Sequence, residues 1–132
     1  MKTFLFALIF TIGLVGAAFA AEKGQDLFNK GKAVYEQNCA VCHSYGPPPK
    51  TAPPIVGISG HYHEAFTDRA KAIAHMVDFM KKPSKDKSVL LPIGLERWGL
   101  MIPMNLPDEE LYAVSYWVWE VYSKERKPIK QQ

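Results

Sequence analysis

The chain has 132 residues, and its 16 lysines and arginines against 13 aspartates and glutamates give a formal net charge of +3. This length suits one domain and is too short for two domains of ordinary size. The positive charge is small and the arginines, Arg69, Arg97 and Arg126, are scattered. The composition therefore argues against a nucleic-acid partner.

The first twenty residues have the pattern of a secretory signal peptide. Lys2 gives a short positive start, residues 4–19 are an almost unbroken apolar run, and Ala18-Phe19-Ala20 is a small-x-small cleavage pattern. A retained membrane anchor is the alternative, but this run is shorter than the roughly twenty apolar residues that span a bilayer. We therefore expect residues 1–20 to be cleaved, residues 21–132 to form the mature domain, and the protein to be exported to the periplasm.

Helical periodicity first occurs between Gln25 and Asn38, and this predicted helix leads directly into Cys39. Its apolar positions are Leu27, Phe28, Ala33, Val34 and Tyr35. Residues 44–60 follow with five prolines and three glycines. That composition predicts an ordered loop rather than a helix.

Two further main helices are predicted. Apolar spacing favours a helix over residues 68–82, with Thr67 as its N-cap and Pro83 at its end. Prolines and glycines interrupt regular secondary structure in residues 84–105, so we predict only a short helix there, near Gly94–Trp98. Pro107 and the three acidic residues after it favour the start of the last helix, which extends to about Lys124. No stretch alternates with the period of a strand, so we predict an all-α fold.

The cysteines belong to the motif Cys39-Ala40-Val41-Cys42-His43. In an exported protein two cysteines ordinarily predict a disulfide, and C-x-x-C also occurs in redox dithiols and zinc sites. A redox dithiol needs a βαβ setting, which the sequence does not show. A zinc site needs further ligands at suitable spacing, and the other histidines do not supply them; they are His61, His63 and His75.

C-x-x-C-H is instead the attachment pattern of c-type haem. Residues i and i+3 of a near-helical turn face the same way, so both sulfurs reach the vinyl groups on one haem edge. The histidine that follows is then carried under the iron. We predict one covalently bound haem c, attached through Cys39 and Cys42, with His43 as the proximal iron ligand.

With these elements in this order, the chain resembles the small monohaem class I cytochromes c over nearly all of its mature length. Gly31-x-x-x-Tyr35-x-x-x-Cys39 matches the first helix of that family, in which a glycine lets the last helix cross closely. Val114 and Trp117 fall where the crossing partners would be. The resemblance implies a class I cytochrome c fold, with three main helices wrapped around one haem.

Residues 50–57 are similar to the proline-containing loop that follows the haem motif in this family. The resemblance implies that the carbonyl of Pro53, or of Pro54 if the register slips by one, accepts a hydrogen bond from the His43 ring. Such a bond sets the tautomer of the ligand and strengthens it as a donor. The chain departs from the family in its run of three prolines at 47–49 and in a longer loop before the last helix.

The family takes its sixth iron ligand from a methionine shortly before the last helix, where this chain has both Met101 and Met104. Counting back six residues from Pro107, which occupies the helix-cap position, lands on Met101. The sequence Ile102-Pro103-Met104 instead matches a subgroup in which the methionine of Ile-Pro-Met binds the iron. We favour Met101 as the distal ligand and keep Met104 as the alternative.

Three other side chains have weaker assignments. In similar proteins a tryptophan before the ligand loop hydrogen-bonds a haem propionate, so Trp98 either makes that contact or simply covers the haem face. Met76 and Met80 are four residues apart on a predicted helix and are interpreted as core or surface residues. The lysines between residues 81 and 87 are interpreted as a solvated helix end, with a docking face for an acidic partner as the alternative.

A thioether ligand favours Fe(II), so His/Met ligation suits an electron carrier. The resemblance implies one-electron transfer in the periplasm between redox partner proteins that act as donor and acceptor. It implies no enzymatic reaction and no small-molecule substrate. It also implies that the protein is a monomer or forms only a weak complex. Two alternatives stay open: a haem c subunit of a periplasmic oxidoreductase, for example one that oxidises a sulfur compound, and a gas-binding or peroxide-reducing protein with an open sixth position.

Overall fold

The structure is a computed structural model that describes residues 22–125, so the predicted signal peptide lies outside the described residues. Within this range the backbone is helical and contains no strand, which confirms the all-α prediction. Its helices are α1 (22–34), α2 (Ile55–Ala65), α3 (Arg69–Lys81), α4 (Pro92–Trp98) and α5 (Asp108–Glu125). Among them, none combines the length and the apolar character that crossing a bilayer requires.

The last helix forms the centre of the core, and α2 and α3 both pack against it. Acidic side chains occupy its first turn, where the partial positive charge of the helix N-terminus favours them. Trp117 is almost fully buried and stacks on Tyr35, with 4.6 Å between the ring centroids. The buried face of α5 consists of Leu111, Ala113, Val114, Ser115, Trp117, Val118 and Val121.

The crossing of α1 and α5 depends on Gly31. A Cβ atom at this position would lie 2.0 Å from the Ala113 carbonyl oxygen and 2.6 Å from the Trp117 Cβ. No side chain fits at that separation, so only glycine allows the two backbones to approach this closely. The predicted role of Trp117 at the crossing is confirmed, and Ala113 lies nearest to Gly31 there. Val114, the other predicted partner, is buried in the core.

The prediction of a loop over residues 44–60 is wrong for its last six residues, because α2 begins at Ile55. Pro54 precedes the helix in an extended conformation, a place where proline removes no helical hydrogen bond. Three residues of α2, Ile55, Ser59 and Tyr62, are buried at helical spacing. Burial of this face outweighs the helix-weakening effect of Gly57 and Gly60.

Smaller corrections concern the other helices. The first predicted helix continues past α1 as a π-helical turn over Tyr35–Cys39, closed by a hydrogen bond from the Ala40 N–H to the Tyr35 carbonyl. The N-cap of α3 is Asp68 rather than Thr67, since the Asp68 carboxylate accepts from the Lys71 N–H at 2.8 Å. The short fourth helix is confirmed, and it starts at Pro92, two residues before the predicted Gly94.

Candidate haem site

A cavity of about 480 Å³ lies between the C-x-x-C-H turn, α3, α5 and the segment that joins α4 to α5. This volume is in the range of pockets that enclose a small-molecule ligand or cofactor. The residues proposed from the sequence come from three separate stretches, and all of them line this one cavity. They are Cys39, Cys42, His43, Pro53, Trp98, Met101 and Met104.

The two cysteines lie on one turn of near-helical backbone. The Cys39 carbonyl accepts hydrogen bonds from the N–H groups of Cys42 at 3.1 Å and His43 at 2.9 Å, which brings residues 39, 42 and 43 to the same wall. Both thiols are free, with Cys39 half-buried and Cys42 exposed. Burial and, to a smaller extent, the neighbouring Cys42 raise the pKa of Cys39 to about 11. A thiol of a redox dithiol is activated by a lowered pKa, so this environment disfavours that alternative.

The imidazole of His43 is held in one orientation by the loop before α2. Its Nδ1 lies 2.7 Å from the Pro53 carbonyl oxygen and donates a hydrogen bond to it, which leaves Nε2 as the ring atom with a free lone pair. The backbone of His43 is held as well, because the buried Tyr35 hydroxyl donates to the His43 carbonyl at 2.9 Å. A ring nitrogen with a fixed tautomer is the arrangement that metal-ligating histidines usually have.

Four methionine side chains line the cavity. Besides Met101 and Met104, the cavity is lined by Met76 and Met80. Met76 is buried in the core and Met80 packs against it, which confirms their interpretation as core residues, but their position beside the site was not predicted. The Met104 N–H donates to the Met80 carbonyl at 2.8 Å and ties the methionine segment to the end of α3. The sequence feature that could have predicted their common position is the four-residue spacing of Met76 and Met80, which places both side chains on one face of the helix.

Tyr62 of α2 was also missed and lines the cavity with its buried ring. Its hydroxyl lies 3.2 Å from Nδ1 of His75 on α3. Burial raises the pKa of Tyr62, so the hydroxyl is protonated at neutral pH and donates to His75. Burial also lowers the pKa of His75, against a smaller opposing effect of Asp78 and together with a lowering effect of Lys87.

The remaining histidines, His61 and His63, contact side chains that do not form a metal site with them. His61 Nδ1 lies 3.3 Å from the Glu64 carboxylate, and the ring of His63 stacks on Trp119 with 3.6 Å between centroids. Within residues 22–125, no group of three His, Cys, Asp or Glu side chains is close enough together to hold a metal ion. The described residues therefore give the zinc alternative no support.

The donors and surroundings of the cavity fit a c-type haem. Two free thiols, a histidine with one available ring nitrogen and two thioethers in the loop before the last helix line a space whose other walls are mainly apolar. Apolar walls suit the flat hydrophobic surface of a porphyrin, and nitrogen and thioether donors suit its iron.

The comparisons with known proteins agree with this geometry. The family model for cytochrome c matches residues 23–121. A protein of Aquifex aeolicus (strain VF5), described as uncharacterized, is 25% identical to this chain over 144 aligned residues. The alignment covers 95% of this chain and 93% of the Aquifex protein. No solved structure matches the chain. Since the family model spans most of the chain, the protein belongs to the cytochrome c family, whose members bind haem c covalently and use it for electron transfer.

Proposed function

We propose that the protein is a periplasmic one-electron carrier and not an enzyme. In this proposal Cys39 and Cys42 hold the haem through thioether bonds, His43 is the proximal iron ligand, and Met101 is the distal ligand. Residues 1–20 direct export and are removed, and residues 21–132 form the carrier. Separate donor and acceptor proteins deliver and remove the electron, and no small molecule is transformed.

The observation that carries this proposal is the convergence on one cavity of the attachment turn, the Pro53 loop and the methionine segment. These segments are far apart in the chain, and each contributes a different part of a haem site. The 2.7 Å hydrogen bond between His43 and Pro53 supports the proximal assignment, because it prepares one ring nitrogen to face the cavity.

The bound haem would supply the Fe(II)/Fe(III) couple, and the residues of the chain set the conditions for it. The Pro53 carbonyl holds the histidine proton on Nδ1 and makes the ring a stronger donor. A neutral thioether ligand from Met101 would favour the reduced iron and raise its potential. The apolar walls, with the buried Met76 and Val114 among them, exclude water and limit rearrangement when the charge changes.

The choice between the two methionines depends on sequence spacing, since both line the cavity. The six-residue distance from Met101 to Pro107, directly before α5, supports Met101. The hydrogen bond from the Met104 N–H to the Met80 carbonyl involves only the backbone, and it anchors the segment to α3 whichever methionine is the ligand.

Optical spectra of the purified haem-loaded protein test the proposal. The oxidised wild type should show the methionine–iron charge-transfer band at neutral pH. Met101→Ala should lose that band and Met104→Ala should keep it. Met76→Leu is the matched control, because it changes another cavity methionine that lies on a helix and not in the ligand segment.

Loss of the band in Met104→Ala with retention in Met101→Ala would reassign the distal ligand to Met104. Absence of the band in the wild type, together with a ready spectral change on adding carbon monoxide to the reduced protein, would show an open sixth position. That second result would contradict the electron-carrier proposal and favour a gas-binding or peroxide-reducing protein.

A further inference from the structure

A pair of hydrogen-bonded side chains links the haem cavity to a half-buried imidazole on α3. Tyr62 of α2 lines the cavity and is 4% exposed, and its hydroxyl lies 3.2 Å from Nδ1 of His75. The two rings also meet edge to face, with 5.7 Å between their centroids, and the ring of Phe66 packs on both. Because His75 is only half-buried, it can exchange a proton with solvent. The pair therefore connects the wall of the site with a titratable group.

Among the described residues, no Asp, Glu, Lys or Arg side chain lines the haem cavity. The ionisable groups of its wall are the two thiols, which haem attachment would consume, His43, which would bind the iron, and Tyr62, whose pKa is raised by burial. A change of charge inside this apolar space would meet little compensation from the wall, and charges interact strongly in such surroundings. His75 contacts the wall through Tyr62 and is a group of the type that gains a proton near physiological pH.

The hydrogen bond of the pair has a different direction in each protonation state of His75. In the neutral ring, Nδ1 accepts from the Tyr62 hydroxyl. A protonated imidazole carries a hydrogen on both ring nitrogens and accepts no hydrogen bond. Nδ1 then donates to the Tyr62 oxygen, and the hydroxyl hydrogen has to turn away from His75. Protonation thus adds a positive charge at His75 and reorients a buried O–H dipole in the cavity wall.

The charged groups that face His75 come from its own helix and from the turn between α3 and α4. Burial, the largest effect, lowers the pKa of His75, Asp78 opposes this effect, and Lys87 adds to it. Asp78 and Lys87 form an ion pair at 2.7 Å, so their influences partly offset each other. The contacting side chains of α2, Tyr62 and Phe66, are uncharged. With these neighbours constant, the charge in the haem cavity is the variable that changes the proton affinity of His75.

We propose that Tyr62 and His75 act as one unit that couples electron transfer to a proton, so that the reduction potential of the bound haem depends on pH. When a donor protein supplies one electron, the charge in the cavity becomes less positive by one unit, and His75 binds one proton from solvent. Oxidation by the acceptor protein releases both. His75 is a positioning residue that acts through the Tyr62 hydroxyl. This inference rests on the electron-carrier proposal, since it adds a proton to the same electron.

The sign of the coupling follows from electrostatics. Reduction removes positive charge from the cavity and favours the protonated ring, so the pKa of His75 should be higher in the reduced than in the oxidised protein. We expect both values to lie below the ordinary histidine pKa of about 6.5, because burial lowers the pKa. The potential should be constant at higher pH, rise as the pH decreases through these two values, and become constant again below them.

Two titrations of the haem-loaded protein measure this coupling. NMR signals of the His75 ring, followed against pH in each oxidation state, give its two proton affinities. Spectroelectrochemistry between pH 4 and pH 8 gives the potential. We expect the proton affinity to be at least about threefold higher in the reduced protein. Since a tenfold difference equals 59 mV for one electron, the potential should rise by at least about 28 mV toward low pH.

Three variants assign the effect to the pair. His75→Gln should remove this rise in potential. His61→Gln is the matched control, because it replaces a histidine of α2 whose ring contacts Glu64, and it should keep the rise. Tyr62→Phe keeps the ring in the cavity wall but removes the hydroxyl, so the difference between the two proton affinities of His75 should become smaller.

Equal proton affinities of His75 in the two oxidation states would overturn the proposal. An undiminished rise in His75→Gln would also overturn it and assign the pH dependence to the carboxylates of the haem itself. An unchanged difference in Tyr62→Phe would show that the two side chains do not act as one unit. The methionine–iron band reports on the electron carrier independently. A normal band with a potential that does not change with pH therefore rejects the proton coupling alone, whereas absence of the band rejects the carrier proposal.

Discussion

Two regions of the molecule are built in opposite ways. Where α1 crosses α5, a single added methyl group at Gly31 would lie 2.0 Å from the backbone carbonyl oxygen of Ala113, so the packing there does not tolerate any side chain at residue 31. On the cavity side, glycines such as Gly57 and Gly99 have no atom within 4 Å of an added Cβ, and large apolar side chains are exposed. We infer that changes at the crossing act mainly on folding, and that changes on the cavity side act mainly on the haem and its partners.

The largest expected effect is that of Gly31→Ala at the crossing. Because the obstructing atoms belong to the backbone of α5, the helices must separate, and we expect the free energy of unfolding to fall by about 3 kcal/mol or the protein not to accumulate. Gly57→Ala in α2 is the matched control, since its added methyl group meets open space. It should instead stabilise the protein by about 0.5–1 kcal/mol, because alanine is the better helix former.

Chemical denaturation of the haem-loaded wild type and both variants measures these differences. Similar effects of the two substitutions would show that glycine acts at residue 31 only through helix propensity. In that case the tight crossing would not distinguish the two regions.

A smaller effect is expected where α2 meets α5. The hydroxyl of Ser59, which is fully buried, donates to the Val118 carbonyl at 2.5 Å and joins the two helices. Ser59→Ala removes a buried hydrogen bond and should lower the free energy of unfolding by about 1 kcal/mol. Ser123→Ala removes an exposed hydroxyl that bonds only within its own helix, to Glu120 at 2.8 Å, and a loss equal to that of Ser59→Ala would refute the interhelical role.

The smallest effect concerns His75 of α3, whose ring contacts Tyr62 in the wall of the haem cavity. The pKa of His75 is lowered in the folded protein, so the unfolded chain binds the proton more tightly. Stability should therefore fall as the pH decreases from the ordinary histidine pKa of about 6.5 toward the lower folded value. Below that lower value, the contribution of this group is fully lost.

Melting temperatures measured between pH 7 and pH 5 test this prediction. The decrease toward low pH should be smaller in His75→Gln than in the wild type. An unchanged pH dependence in His75→Gln would show that other groups control stability in this range.

Much of the site could be predicted from the sequence because its signals are local. The order Cys39, Cys42, His43 depends only on the geometry of one turn, and the acids at the start of α5 depend only on the field of that helix. The same local reasoning missed α2, since prolines and glycines dominate its neighbourhood. The helix forms because Ile55, Ser59 and Tyr62 are buried against α5, an energy that no local pattern contains.

By itself, the sequence determined the haem motif, the all-α class and the positions at which most helices end, since short-range sterics and hydrogen bonding control all of these. Only the tertiary structure decided that Met76, Met80 and Tyr62 border the site with the predicted ligand residues. It also decided that the exposed Leu91 and Ile93 line a smaller cavity that shares Trp98 with the haem cavity. These arrangements come from packing between segments that are distant in the chain, and the segment with Met101 and Met104 acquires its neighbours only when α3 and α5 pack around it.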